Sequence, residues 1–247
     1  MTTDFNELAD TYHQTKENLL KRYSEEPTFM AAIGDLSGLD VLDLACGDGH
    51  FTRMFKRAGA NRVVGVDIAE NMIAGALAAE SAEPLGIEYA VHDVASLPAS
   101  LGEYDIVAAT YLFHYAPNAA ALGAMAQSIA GRLRPNGRLV VVGMSPALTA
   151  EHLQPLDKYG ALISAQTPLG DGDAITVTID TPVGPINFSC FHWTWAAYRD
   201  AFGTAGLGKI EEYPMFVGDE GVAKYGAEFW AEYLANPALA VFVAQRP

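Results

Sequence analysis

Apolar and polar positions alternate in two rhythms along the 247-residue chain. Near the start, Phe5, Leu8, Tyr12, Leu19 and Tyr23 recur at roughly helical spacing, which predicts a helical segment. From residue 39, short apolar runs take turns with helix-period stretches. "LDVLDLA" (39–45), "RVVGVDI" (62–68), "IEYAVHD" (87–93) and "YDIVAATYLF" (104–113) read as strands. The last is continuously apolar, as a strand buried on both faces is. Residues 50–58 and the alanine-rich 70–80 read as helices. Leu122, Met125, Ile129 and Leu133 mark one face of a helix over 117–134. A Pro-Asn-Gly turn then leads into a fifth strand at 138–144.

The pattern changes after Pro146. Residues 147–172 read as a loop or lid with some helix. "AITVTID" (174–180) and "INFSCFH" (186–192) flank "TPVGP" and predict a β-hairpin. Thr194 is placed to cap a helix carrying Trp195, Tyr198 and Phe202 on one face. "KIEEYPMFV" (209–217) and "LAVFVAQ" (239–245) read as the last strands, with a helix near 220–235 between them. Alternating strands and helices predict an α/β fold, Rossmann-like, with a mostly parallel sheet and helices on both faces.

Charge narrows the partners. Fifteen basic residues stand against 30 acidic ones, a net charge of −15. Such a surface repels nucleic-acid phosphates and anionic membranes, so neither is expected as a partner. It also simply keeps a protein in solution. Cys46 and Cys190 show no metal-ligand spacing and no disulfide framework, and the six histidines are scattered, so no metal is expected. The opening "MTTDFNELAD" lacks a basic region followed by an apolar run, and no apolar run is long enough to span a bilayer. A reducing cytoplasm is the simplest home.

An open sheet of this kind binds ligands beyond the carboxyl ends of its strands. Asp43 to Gly49, Asp67, Asp93 and Thr110 close successive strands and share that rim. Gly47, Gly49 and an acid 20 residues past Gly47 fit a dinucleotide site, yet Thr52 holds the third glycine position. Asp43 stands where a pyrophosphate would pass, and a buried carboxylate beside phosphate charge is unfavourable. The arrangement suits S-adenosylmethionine, which carries an α-ammonium and a sulfonium but no phosphate. Loop N–H groups serve its carboxylate. Asp43 acts on the ammonium through water or by ordering the loop. Asp67 accepts from the ribose hydroxyls, and Ile68 and Met72 flank the adenine. Asp93 accepts from the adenine amino group, the Val94 N–H donates to a ring nitrogen, and Thr110 and Tyr111 lie beside the methionine moiety.

"VLDLACGDGHFT", "VVGVDIAENMI", "HDVASLP" and "ATYLFHYA" resemble, in order, the motifs of class I S-adenosylmethionine-dependent methyltransferases over residues 39–145. The resemblance implies a seven-stranded sheet with a reversed last strand, matched by "LAVFVAQ". It implies cofactor contacts at Asp43, Gly47, Asp67, Asp93 and Thr110. Ala45 stands where many members have glycine and others alanine, and it joins the cofactor-binding set. "QTKENLLKRY" and "EFWAEYLANP" are similar to segments of a bacterial small-molecule group that includes the toxoflavin-pathway N-methyltransferase. That likeness implies a small, planar, nitrogen-rich acceptor. One methyltransferase domain over 1–247 is expected: a helical cap (1–38), a cofactor-binding core (39–146), a lid and hairpin insertion (147–193) and a segment completing the sheet (194–247).

Methyl transfer from a sulfonium chiefly needs alignment and exclusion of water; a base is needed only when the attacking atom must lose a proton. His114 and His192 are the candidate bases. Tyr115 and Trp193 are candidates to face a flat acceptor. Tyr12 is placed to close over the methionine end, and Arg22 to meet a carboxylate. The expectation is a small-molecule methyltransferase, monomer or homodimer, with N-methylation favoured. O-methylation, an NAD(P)-dependent oxidoreductase and a non-catalytic binding module are the alternatives.

Overall fold

The computed structural model describes residues 5–6, 8, 15, 18–149, 156–182 and 184–247. Its centre is a seven-stranded sheet. β1 (Asp40–Leu44), β2 (Arg62–Asp67), β3 (Glu88–Val91), β4 (Tyr104–Thr110) and β5 (Leu133–Met144) are parallel. β10 (Leu239–Gln245) inserts antiparallel between β5 and the short β9 (Glu211–Tyr213). The spatial order is β3-β2-β1-β4-β5-β10-β9. Order reverses between β1 and β4, and this is the crevice at which an open sheet takes ligands.

Helices cover both faces. Leu42, Leu44, Val107, Leu139 and Phe242 pack on one side with α4 (Ala119–Ala130) and α5 (Trp195–Thr204). Val41, Val63, Ile106, Val140 and Val241 pack on the other with α1 (Glu26–Ile33) and α2 (His50–Arg57). Both apolar sets alternate along the same strands, which is why those strands read as unbroken apolar runs. α3 (Glu70–Ala82) flanks β2 and β3. The Thr194 hydroxyl accepts from the Ala197 N–H and starts α5 as expected.

Three local expectations need correction. The segment read as a lid contains β6 (Ala161–Ala165), so the insertion is a three-stranded antiparallel sheet with β7 (Ala174–Ile179) and β8 (Ile186–Phe191). Its inward Ala161 and Ile163 alternate with outward Leu162, and that exposed leucine hides the period. The helix near 220–235 is two, α6 (Asp219–Tyr225) and α7 (Ala227–Ala235), divided at Gly226 with φ +81°. The strand read at 209–217 shrinks to β9 at the sheet edge. Preceding α1, Lys21–Glu25 form one π-helical turn packed toward the crevice. No helix among the described residues is long and apolar enough to cross a membrane.

Candidate active site

The glycine loop is held from behind. Asp67 closes β2 and is nearly buried. Its Oδ2 accepts from the Gly47 N–H at 2.8 Å and its Oδ1 from the Ala69 N–H at 2.9 Å. Burial raises the Asp67 pKa, and the hydrogen bonds from Ala69, Gly47 and Ile68 oppose that rise. Ala45 and Gly47 have φ of +53° and +55°. The left-handed backbone accounts for the preference for small residues here, and Ala45 carries a modest strain for it. Gly49 opens α2 with φ +85°, and a β-carbon there would collide with the Tyr89 hydroxyl.

One cavity of about 640 Å3 joins this rim to the inner face of the small sheet. At one end lie Ala45, Gly47, Asp67, Ile68, Met72, Asp93 and Val94. Ile68 is 65% exposed, a large apolar side chain left uncovered at the cavity mouth. Asp93 caps the turn at Val94–Ser96 through the Ala95 N–H at 2.9 Å. In the middle stand Thr110, Tyr111, His114 and Tyr115, with Lys21 and Glu25 from the π-helical turn. The Thr110 Oγ1 is buried and has no partner among the described residues. The far end is apolar: Met144, Ile163, Val177, Phe188 and Leu239 line it.

Residues 41–137 match the model of a methyltransferase domain. The match spans β1 to the middle of β5 and takes in every residue at the rim end of the cavity. A demethylmenaquinone methyltransferase of Lactococcus lactis is 29% identical over 163 residues, covering 63% of this chain and 62% of that one. A nocamycin O-methyltransferase of Saccharothrix syringae is 32% identical over 170 residues, covering 66% and 58%. This chain thus spans about three-fifths of the curated relatives it matches. An S-adenosylmethionine-dependent methyltransferase structure from Mesorhizobium loti superposes with a TM-score of 0.62 at 22% identity, covering 94% of this chain and 100% of that one. The fold is the one shared by S-adenosylmethionine-dependent methyltransferases.

The fold does not bring every expected residue to the cavity. Asp43 is wholly buried behind the loop, outside the cavity wall, with its Oδ2 accepting from the Thr52 hydroxyl. It therefore bears on the loop's shape, and not on where a pyrophosphate would run. His192 lies outside the wall as well. It is buried at the end of the hairpin, where the peptide groups of residues 172 and 173 bond its backbone. Trp193 packs in the core with its Nε1–H donating to the Ala116 carbonyl at 3.2 Å. Trp193 and Trp195 both pack into the layer that holds α4 and α5. Arg22 is half-exposed, pairs with Glu220 at 2.8 Å and is not among the residues lining the cavity. Tyr12 lies outside the described residues.

His114 does line the cavity, but burial lowers its pKa to about 3. Its neighbour Gly143 leaves room for the ring, since a β-carbon there would stand 3.4 Å from Nδ1. Sequence reasoning passed over Glu25 and Lys21. Both lie in a charged stretch, and the π-helical turn buries both beside the cavity. Among the described residues no group of three histidine, cysteine or acidic side chains is arranged to hold a metal ion.

Proposed function

We propose that this chain transfers a methyl group from S-adenosylmethionine to a small planar acceptor with apolar faces, a nitrogen heterocycle being favoured. The observation that carries the reading is the continuity of one cavity, from a glycine rim with paired acidic residues to an apolar chamber beneath the three-stranded sheet. A chamber of mostly aliphatic walls favours a ligand that buries flat apolar area.

The rim residues fit the cofactor. The Asp67 carboxylate accepts from the Gly47 and Ala69 N–H groups and keeps acceptor capacity for a ribose diol. Ile68 and Met72 offer apolar surface to a base, and the Asp93 carboxylate offers an acceptor to its amino group. The unpartnered Thr110 hydroxyl awaits a polar group of the ligand. When bound, S-adenosylmethionine supplies an electrophilic methyl and a good leaving group. The protein's share is alignment and the exclusion of water. Tyr115 and His114, with rings 4.6 Å apart, form the wall nearest the apolar chamber. At neutral pH a side chain with a pKa near 3 holds little of an acceptor's proton. That weakness supports an attacking nitrogen with a free lone pair. O-methylation is the second reading, favoured by the nocamycin relative.

Titration calorimetry with S-adenosylhomocysteine and with NAD+ tests the assignment. Binding of the first and indifference to the second is expected; the reverse overturns it. Labelled methyl transfer across panels of nitrogen heterocycles and phenols then tests the acceptor. Label confined to the phenols would replace N- by O-methylation.

A further inference from the structure

Glu25 is fully buried, yet it lines the cavity and is only half satisfied. The Tyr111 hydroxyl donates to its Oε2. Its Oε1 has no hydrogen-bond partner among the described residues. A buried carboxylate oxygen without a donor is expensive, and where it borders a cavity a ligand donor is one way to complete it.

The surroundings say which ligand group that is. The turn carrying Glu25 rests against the start of α2, the helix that follows the glycine loop. Glu26 Oε1 meets His50 Nε2 at 2.6 Å. The Lys21 ammonium stands 5.9 Å from the Phe51 ring and 5.7 Å from the Tyr111 ring. Tyr111 itself has φ +53°, strained for a bulky residue, and this conformation accompanies its bond to Glu25. Glu25 thus faces the cavity between the end of β4 and the N-terminus of α2. Burial raises its pKa, while Lys21 and the Tyr111 hydrogen bond oppose that rise. A sulfonium has no N–H or O–H to give the open oxygen. A primary ammonium has three.

We infer that Glu25 Oε1 receives the α-ammonium of the cofactor's amino-acid tail, with Tyr111 as the positioning residue that fixes the carboxylate. The inference rests on the methyltransferase reading above. It moves the recognition of that ammonium from the rim of the sheet, where Asp43 is turned away, to the turn before α1.

Two probes separate it from that reading. S-adenosylhomocysteine carries the tail; 5′-methylthioadenosine has the same nucleoside and thioether without it. Glu25→Gln keeps the shape and removes a desolvated charge, so a melting temperature no lower than native is the check on folding. Calorimetry should show Glu25→Gln weakening S-adenosylhomocysteine by roughly 10- to 100-fold, the weight of a charge-assisted hydrogen bond, with 5′-methylthioadenosine unchanged. Tyr111→Phe should give a smaller loss, also confined to S-adenosylhomocysteine. Unchanged S-adenosylhomocysteine affinity in Glu25→Gln overturns the inference. Equal loss of both probes overturns it too, since the tail is then not what Glu25 reads. If the native protein binds neither probe, the methyltransferase reading itself fails, and the inference with it.

Discussion

The Thr52 hydroxyl donates to Asp43 Oδ2 at 2.6 Å, and neither side chain reaches solvent. The bond ties the end of β1 to the first turn of α2 across the glycine loop. Thr52 occupies the position a dinucleotide fold gives to its third glycine. Here a hydroxyl is needed, because the loop has a carboxylate behind it. The other oxygen, Oδ1, has no partner among the described residues. Burial pushes the Asp43 pKa up to about 7, with the Thr52 bond opposing and the Asp67 charge adding.

Asp43 should therefore weaken the fold as pH rises. Its folded pKa lies above the unfolded value of 3.8. The favourable contribution is full below about pH 4 and is lost as pH climbs through about 7, on the order of 4 kcal/mol in all. Asp43→Asn can keep the Thr52 bond and cannot ionise. Its stability relative to native, measured by urea unfolding, should rise steadily between pH 4 and pH 8. A difference that does not vary with pH would show that Asp43 titrates alike in both states.

Gly49→Ala should be among the costliest single methyl additions to this chain. The φ of +85° strains any β-carbon, and the Tyr89 ring fills the space that carbon would take. A loss of about 2 kcal/mol or more is expected from strain and overlap together. Tyr89→Ala in the same chain should recover the overlap part and leave the backbone part. Full stability in Gly49→Ala alone would mean that the loop shifts freely, and that its geometry is not set by Tyr89.

The parallel core was legible because its central strands are buried on both faces and lead into polar residues at one rim. Of the residues there, Asp67, Asp93 just beyond β3, and Thr110 line the cavity, whereas Asp43 is buried behind the loop. What lay beyond the sheet was harder to read. Whether Trp193 enters a pocket or a core depends on where the chain leaves β8, and one residue of difference turns the side chain to the other face. Glu25 and Lys21 were invisible for a different reason. A π-helical turn has a period to which apolar spacing gives no clue, and it turns both charges toward the cavity.

His114 should make the protein less stable in acid. Burial holds its folded pKa at about 3, below the usual 6.5. The unfolded chain gains a proton that the folded chain refuses. The contribution is intact above pH 6.5 and declines by about 1.4 kcal/mol per pH unit as pH falls toward 3. This trend runs opposite to that of Asp43, so each must be read as native minus its own variant. The gap between native and His114→Asn should close or invert on going from pH 7 to pH 5. The rate of methyl transfer should show no limb near pH 6.5 due to this residue, since it stays neutral throughout. A limb there that disappears in His114→Asn would mean that the ring is solvated and acts as a base.

Trp193→Phe separates packing from recognition. Its Nε1–H bonds the Ala116 carbonyl at the end of the turn that carries His114 and Tyr115, and its ring belongs to the α4–α5 layer. Loss of that bond leaves a buried carbonyl unpaired and removes part of the ring, worth roughly 1–3 kcal/mol. The substitution should lower the urea midpoint while S-adenosylhomocysteine affinity stays within about twofold, because Trp193 is not among the residues lining the cavity. His192→Asn should behave in the same way, because its ring also lies outside the cavity wall. A fall in turnover at saturating cofactor, with the urea midpoint unmoved, would put either side chain back against the acceptor and require the hairpin end to reach the chamber.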